Sequence, residues 1–251
     1  MNTFVDEYGV TYSEDKKVLI KGNEKLEEYT VPQGTEIIGK DAWGKMGSLK
    51  KIVLPEGLLE IGELAFSGCT GLTDLQIPST VREIGPYAFE FTMLRTAVIP
   101  EGVKVLCNDV FDGCFLLDFV VLPSTLERIE DYAFCSCQSA KIMLMAGKRK
   151  LNYIDDSAID NNTIFFVPYE LRAEYAETFE NNRDRFFGVK IVPEEKNNNF
   201  FCKNELSQNQ ISEYFQNIFP IFEHCADLKT NPQNFELLRS NFKYRREFYV
   251  I

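Results

Sequence analysis

Apolar and polar residues alternate in short stretches that recur along the chain every 22 or 23 residues. Each stretch reads Leu-x-x-apolar-x-apolar and ends in proline, and the apolar-proline pairs are Val31-Pro32, Leu54-Pro55, Ile77-Pro78, Ile99-Pro100 and Leu122-Pro123. Such alternation predicts a half-buried strand. A strand repeated with this period predicts a solenoid, whose stacked units bury a core that no single unit could bury. The next pair, Val167-Pro168, follows 45 residues later and leaves room for a degenerate sixth repeat.

The second half of each unit contains a small residue followed by a large one, ten and eleven residues after the proline. These pairs are Ala42-Trp43, Ala65-Phe66, Ala88-Phe89, Val110-Phe111 and Ala133-Phe134. The small residue allows a close turn, and burial of a phenylalanine is worth roughly 1.5 to 3 kcal/mol relative to exposure. An Ile-Gly step lies between, at Ile38-Gly39, Ile61-Gly62 and Ile84-Gly85. Glycine there predicts a close approach of two backbones.

The order of these anchors resembles the BspA-like class of leucine-rich repeats, whose units read L-x-x-I-x-I-P-x-x-V-x-x-I-G-x-x-A-F-x-x-C. The match covers about residues 26–193. The resemblance implies a leucine-rich-repeat solenoid that is rich in β-structure, with one short strand per coil and a helical closing unit. It also implies a protein that recognises other proteins, often on bacterial surfaces, and it implies no catalytic residues.

The pattern predicts five segments. They are a capping hairpin at residues 1–25, six repeats at 26–163, a closing strand-helix-strand unit at 164–193, a polar linker at 194–199 and a helical, aromatic-rich appendage at 200–251. In the hairpin, Val10 and Tyr12 alternate on one arm, and Val18 and Ile20 alternate on the other. A cap is expected because the open end of a solenoid exposes core and strand edge.

The chain is acidic, with a net charge of −11 over 251 residues. Residues 194–251 contain seven Lys or Arg and eight Asp or Glu, so −10 of that charge falls on the preceding residues. An acidic solenoid disfavours nucleic acid and anionic membranes as partners. No apolar run reaches the roughly 18 residues of a membrane span. The first residues lack the pattern of a signal peptide, so the sequence as written predicts a cytoplasmic protein, or a secreted or cell-surface one if a signal was trimmed.

Candidate chemistry is sparse in this sequence. The one histidine, His224, lies in the aromatic-rich appendage, and neither a phosphate-binding loop nor a zinc-protease motif occurs. Cys69, Cys114 and Cys137 each follow a repeat phenylalanine by three residues, so they are expected to be core-facing free thiols. We predict no catalytic residue, no cofactor and no metal, and we do not expect an enzyme.

The residues that alternate with the inward apolar positions are expected to face out of a concave sheet. The polar ones are the predicted partner contacts, Lys51, Asp74, Gln76 and Thr96. Towards the C-terminal half this face becomes an apolar patch, made of Val98, Phe119, Val121, Ile164 and Phe166. An apolar patch of this size is expected to be covered. The aromatic appendage is the favoured cover, and an external partner is the alternative.

Two functions are compatible with this sequence. The favoured one is a non-catalytic scaffold that binds a protein partner of unknown identity through the concave sheet. The alternative is an effector or enzyme whose activity lies in residues 200–251, with the repeats as a targeting module. Self-association through the appendage is compatible with the first function.

Overall fold

The computed structural model describes residues 3–137, 140–144, 151–159, 163–168, 171–178, 186–191 and 248–250. The chain divides into two compact units, Met1–Ile164 and Phe165–Ile251. The first unit is a β-solenoid of about five turns, which confirms the predicted fold class. The predicted linker at 194–199 and the appendage at 200–251, apart from residues 248–250, lie outside the described residues.

An antiparallel cap precedes the first repeat. It consists of β1 (Thr3–Val5), β2 (Thr11–Ser13) and β3 (Val18–Lys21), paired in that order. In β3 the buried residue is Leu19, whereas Val18 is half-buried and Ile20 is exposed. The predicted alternation of Val18 with Ile20 is therefore wrong as to which residue enters the core. The reason is that β3 pairs in parallel with the first repeat and places Leu19 beside the buried Ile38.

A first row of strands forms where the sequence alternates apolar and polar residues. The row comprises β4 (Glu28–Thr30), β6 (Lys51–Val53), β9 (Thr96–Val98), β11 (Phe119–Leu122) and β13 (Lys141–Leu144). Strands pair in parallel with equivalent residues side by side, as Tyr29 beside Ile52 and Ala97 beside Val120. These four side chains are buried, so the inward positions follow the repeat phase.

A second row of two-residue strands adds to the single predicted strand of each coil. It comprises β5 (Ile37–Ile38), β7 (Glu60–Ile61), β8 (Glu83–Ile84), β10 (Val105–Leu106), β12 (Arg128–Ile129) and β14 (Tyr153–Ile154). The Ile-Gly step explains its position in each coil. A Cβ built on Gly62 would lie 2.9 Å from the carbonyl oxygen of Ile38, so glycine permits the backbone approach that the sequence predicts.

The first row is interrupted at the third repeat, which has 22 residues instead of 23. Residues 72–78, all of which are described, form no strand between β6 and β9. Two backbone bonds link this stretch to the fourth repeat, from Met93 N–H to the Leu72 carbonyl and from Arg95 N–H to the Thr73 carbonyl, both at 3.1 Å. The second bond joins the same repeat positions as the bond from Lys50 N–H to the Glu27 carbonyl, so the third and fourth repeats stay in phase although residues 74–77 leave the ladder.

The second row is interrupted one coil later, where β8 and β10 are not paired. The guanidinium of Arg82 bridges this gap. It donates to the carbonyl of Ser79 at 2.8 Å in its own coil and to the carbonyl of Glu101 at 3.1 Å in the next. Its side chain lies against Gly102, where a Cβ would come within 2.6 Å of it.

The core of the first unit is a column of aromatic rings. Phe66, Phe89, Phe111 and Phe134 are fully buried. Their centroids are separated by 5.9, 5.3 and 5.6 Å from one coil to the next, and the rings are stacked. Trp43 takes the equivalent position in the first coil and is also fully buried. These residues are the large anchors that the sequence predicts, and each coil needs its neighbours to bury them.

The second unit contains β15 (Ile164–Pro168, which begins at the last residue of the first unit), α1 (Arg172–Thr178), β16 (Phe186–Ile191) and β17 (Phe248–Val250). β15 pairs in parallel with β16, and β16 pairs antiparallel with β17. Tyr175 of α1 is buried. Within the described residues, no helix has both the length and the apolar character that crossing a membrane requires.

Candidate interaction surface

The four predicted partner contacts lie on the outward side of the first row. Lys51 of β6 and Thr96 of β9 hold the same repeat position, and Asp74 holds it in the interrupted coil between them. Lys51 and Asp74 are exposed, while Gln76 and Thr96 are half-buried. The structure therefore places all four on three successive coils. That they contact a partner remains a prediction.

The apolar patch starts on the same side of the row but is not open to solvent. Val98 is half-buried, and Phe119 and Val121 are only 2% and 3% exposed. Val53, which holds the repeat position of Val121, is 45% exposed. Burial of Phe119 and Val121 agrees with the physical expectation that a large apolar surface does not stay wet. Ile164 and Phe166 belong to β15, and their side chains lie outside the described residues.

The interrupted coil leaves peptide groups open beside Asp74. Among the described residues, none makes a backbone hydrogen bond with residues 74–77. Leu75 holds an inward repeat position but is half-buried, unlike its buried equivalents Ile52 and Ala97. Peptide groups in this state bond to water or to a partner, because an unpaired polar group is costly to bury. The sequence offers one signal for this feature, the 22-residue spacing of the third repeat.

Ion pairs link neighbouring coils near this surface. Within the described residues, Lys51 has no ion-pair partner. Lys50 pairs with Glu27 of the preceding coil at 2.8 Å, and Lys40 pairs with Glu63 of the following coil at 2.8 Å. Both pairs are exposed, so each contributes little to stability. The side chain of Asp74 accepts a hydrogen bond from the Thr73 hydroxyl at 3.1 Å. Lys51 and Asp74 therefore present opposite charges on adjacent coils.

The repeat-phase cysteines are buried, as their spacing predicts. Cys69, Cys114 and Cys137 each donate a thiol hydrogen bond to a backbone carbonyl of the preceding coil at 3.1 Å. Burial raises the pKa of Cys69 and of Cys114 to about 12 and raises that of Cys137 as well. A thiol that stays protonated is a poor nucleophile and a poor metal ligand. These side chains are packing residues.

Other predicted features lie outside the described residues. His224 and the possible catalytic or self-associating segment at 200–251 belong there, except for the backbone of β17. Within the described residues, no group of His, Cys, Asp and Glu side chains is arranged to hold a metal ion. The absence of enzymatic activity, of a cofactor and of nucleic-acid binding remains a prediction.

The strands are short and parallel, they stack with a 22- to 23-residue repeat, and each coil buries an aromatic residue. These features define a leucine-rich-repeat solenoid. Residues 20–141 match the sequence profile of the BspA type leucine rich repeat region in six copies. The repeat region of this chain belongs to the BspA-type leucine-rich-repeat family, which confirms the resemblance seen in its motifs. None of the curated proteins matches the chain.

Solved structures with this fold include the pneumococcal vaccine antigen PcpA, which covers 73% of this chain at 21% identity with a TM-score of 0.57. The leucine-rich-repeat protein TpLRR of T. pallidum covers 71% of this chain and 92% of its own length, at 22% identity and a TM-score of 0.50. A leucine-rich cell surface protein from Faecalibacterium prausnitzii covers 66% of this chain and 55% of its own length, at 22% identity and a TM-score of 0.50. The chain spans 45% of the pneumococcal antigen. These similarities show the fold alone.

Proposed function

We propose that this protein is a non-catalytic scaffold that binds a partner protein through the outward side of the first row. The predicted contacts are Lys51, Asp74, Gln76 and Thr96. The observation that supports this proposal is the contrast in exposure along the row. Lys51 and Asp74 are exposed, whereas Phe119 and Val121 are 2% and 3% exposed. A partner reaches the polar part of the row without displacing buried side chains.

The chemistry of the polar part fits a protein segment better than other ligands. Lys51 and Asp74 offer opposite charges on adjacent coils, and residues 74–77 offer peptide groups with no backbone partner among the described residues. A peptide segment presents both charges and peptide groups, so it can satisfy both features. Nucleic acid is disfavoured because the chain has a net charge of −11. Solenoids of this kind offer an extended surface for recognition.

A photo-crosslinking experiment tests the proposed surface. A benzophenone amino acid is placed at Val53, which is 45% exposed beside Lys51, and in a second protein at Glu83, which is exposed in the second row. The Val53 probe is expected to crosslink a defined protein in the native host, and the Glu83 probe is not. That protein is then purified and its dissociation constant for the unmodified chain is measured.

Charge reversal provides the decisive comparison. The double variant Lys51→Glu, Asp74→Lys keeps the net charge but inverts both contacts, and we expect it to weaken binding by about tenfold or more. Glu83→Lys is the control on the other row, and it should bind as the unmodified chain does. Equal affinity of the double variant and the control for the purified partner would rule out this surface.

A further inference from the structure

The third and fourth coils, which contain Pro78 and Pro100, are joined along only part of their boundary. No backbone hydrogen bond connects residues 74–85 of the third coil with residues 96–107 of the fourth, all of which are described. Each of these stretches runs from the first row, through the loop, to the end of the second row. We call this unbonded boundary the seam. Regions held by few hydrogen bonds are the ones that open most readily.

The junctions on either side of the seam show which backbone bonds it lacks. In the second row, Glu130 N–H of the fifth coil donates to the Leu106 carbonyl at 2.9 Å, and Gly85 N–H of the third coil donates to the Ile61 carbonyl at 2.8 Å. Cys107 holds this repeat position in the fourth coil but makes no backbone bond to the third coil. The second row is thus bonded on both sides of the seam and not across it.

Threonine hydroxyls fasten the junctions before and after the seam. Thr80 Oγ1 accepts a hydrogen bond from Gly57 N–H of the preceding coil at 3.0 Å. Thr125 Oγ1 accepts the equivalent bond from Gly102 N–H at 2.8 Å. At the seam itself, the residue of the following coil that holds this repeat position is Gly102, which has no hydroxyl. The threonine clasp is therefore missing where the second row is also unbonded.

The exposed side chain of Arg82 makes a polar contact across the seam. Its guanidinium donates to the carbonyls of Ser79 at 2.8 Å and Val81 at 2.9 Å in the third coil, and to the carbonyl of Glu101 at 3.1 Å in the fourth. A guanidinium carries several donors in one plane, so it can serve both coils at once. Because its contacts with its own coil are separate, Arg82 can release Glu101 without unfolding either coil.

The turn side of the solenoid, in contrast, is bonded across the same two coils. The amides of Tyr87 and Phe89 each donate to a carbonyl of the fourth coil at 3.0 Å. The rings of Phe89 and Phe111 are stacked at 5.3 Å, the shortest separation in the aromatic column. The line of bonds continues to Arg95, whose amide donates to the Thr73 carbonyl at 3.1 Å. The two coils are therefore held together along one side and unbonded along the others.

Apolar side chains line the seam and are buried in the structure. They are Ile77, Val81 and Ile84 of the third coil, with Val103 and Leu106 of the fourth. Their burial shows that the seam is closed in this structure. Any opening would bring them into contact with water, so it would respond to denaturant in proportion to the surface exposed.

We propose that the solenoid opens and closes at the seam, with residues 87–95 as the hinge and the contact between Arg82 and Glu101 as the latch. Asp74 and Thr96 lie on opposite sides of the seam. Opening therefore changes the distance between two of the predicted partner contacts and adapts that surface to its partner. This consequence rests on the proposed function, whereas the opening itself does not and is tested without a partner.

Residue-resolved hydrogen exchange of the full chain tests the opening. The Tyr87 amide donates across the boundary of the third and fourth coils, at one end of the hinge. Leu64 and Asp109 hold the same repeat position and donate across the junctions before and after it. All three bonds are 3.0 Å long, and all three residues are half-buried with φ between 55 and 57°. After correction for intrinsic rates, the Tyr87 amide should exchange about tenfold faster than the other two.

Low concentrations of urea distinguish opening of the seam from fraying of a single bond. Opening exposes buried side chains such as Val81 and Val103, so exchange at Tyr87 should accelerate with urea well below the unfolding midpoint. Fraying of one bond exposes little surface and would leave the rate unchanged. An exchange rate at Tyr87 that does not respond to urea would overturn the proposal.

The variant Arg82→Gln tests the latch. It removes the guanidinium that reaches the Glu101 carbonyl, so it should speed exchange at Tyr87 several-fold further. The rates at Leu64 and Asp109 should stay as they are, because their junctions are bonded in the second row.

Lys104→Gln is the matched control for the latch. Lys104 holds the same repeat position as Arg82 and also reaches across a junction, where it pairs with Glu127 at 3.3 Å. That junction is bonded in both rows, through β9 with β11 and β10 with β12. The control should therefore leave the exchange rates at Tyr87 and Asp109 unchanged.

Three results would overturn the proposal. Equal rates at Tyr87, Leu64 and Asp109 in the unmodified chain would show that the seam does not open, and this measurement needs no variant. An unchanged Tyr87 rate in Arg82→Gln would show that Arg82 is not the latch. Equal acceleration at all three amides in that variant would show that Arg82 stabilises the whole solenoid and not the seam.

Discussion

Strands β6 and β11, which lie towards the two ends of the first row, have the same repeat positions, but their outward residues differ in exposure. In β6 the residues alternate, with Lys51 and Val53 outward and exposed and Ile52 buried between them. In β11 all four residues from Phe119 to Leu122 are buried. The inward positions are the same in both strands because every coil must complete the shared core. The outward positions differ because the repeat imposes nothing on them.

This difference separates what the repeat builds from what an individual protein adds. Inward anchors such as Phe66 and Phe111 recur with the same burial, since stacking fails without them. Outward residues can diverge from coil to coil at little cost to the fold. A binding surface is therefore best sought among outward residues that are polar or open, such as Lys51, Val53 and Asp74 in the N-terminal half of the row.

The largest effect is expected in the aromatic column, which both ends of the row share. Phe89→Ala or Phe111→Ala should lower the free energy of unfolding by roughly 3 to 5 kcal/mol, because each ring is fully buried and stacked on both sides. The loss should spread to neighbouring coils through their shared interfaces. Chemical denaturation measures it.

The matched control for this prediction is Phe115→Ala. That ring is 44% exposed and lies four residues after Phe111, so its removal should change the free energy of unfolding by no more than about 0.5 kcal/mol. If Phe111→Ala and Phe115→Ala unfolded at the same denaturant concentration, the assignment of inward and outward positions would be wrong.

A pair of identical substitutions tests the comparison of the two strands directly. Val121→Ala should cost about 2 kcal/mol, because it removes two carbons from a side chain that is 3% exposed. Val53→Ala removes the same atoms from a side chain that is 45% exposed, so it should cost no more than about 0.5 kcal/mol. The measurement is the denaturation midpoint of each variant at an unchanged slope. Equal midpoints would show that Val121 is open in solution.

The sequence predicts the inward half of this structure well because periodicity reports burial. Spacing alone identifies Phe89, Phe111 and Cys114 as core residues, and all three are buried. The Ile-Gly step correctly indicates a close backbone approach at Gly62. Every coil must fit the next at these positions, so the burial pattern of one repeat predicts that of the others.

The sequence predicts less where the chain departs from its own repeat. Val18, Leu19 and Ile20 are all apolar, so alternation cannot show which of them enters the core, and the parallel pairing with Ile38 decides for Leu19. The exposure of Phe91 is hidden in the same way, because a phenylalanine in a repeat suggests burial. The structure shows that its ring lies on Gly113 and stays 44% exposed.

A smaller effect is expected at the N-terminal end of the row. The buried hydroxyl of Tyr29 lies 2.6 Å from that of Tyr12 and donates to the carboxylate of Asp6, which ties the cap to the first coil. Tyr29→Phe should cost roughly 1 to 2 kcal/mol, because the buried Tyr12 hydroxyl and the half-buried Asp6 carboxylate each lose a hydrogen bond. Tyr153→Phe removes an exposed hydroxyl that also donates to an aspartate, Asp155, and should cost much less. Thermal unfolding of the two variants compares a buried bond with an exposed one.

The smallest difference between the two ends is expected at the repeat cysteines, because they are inward residues in both. Cys69 and Cys114 each donate to a carbonyl at 3.1 Å, and burial raises the pKa of each to about 12 from 9.0. A folded thiol with a raised pKa holds its proton more tightly than the unfolded one, so unfolding above pH about 9 releases protons. The free energy of unfolding should therefore fall as pH rises from about 9 towards 12, by up to about 1.4 kcal/mol per pH unit for each thiol.

Iodoacetamide labelling of the native protein at pH 9, read by mass spectrometry, should be slow and equal at Cys69 and Cys114. Denatured protein without reductant should take up label at all seven cysteines. Fewer than seven labels would reveal a disulfide or another blocked thiol, and fast labelling of Cys69 alone would show that the N-terminal coils open more readily than the C-terminal ones.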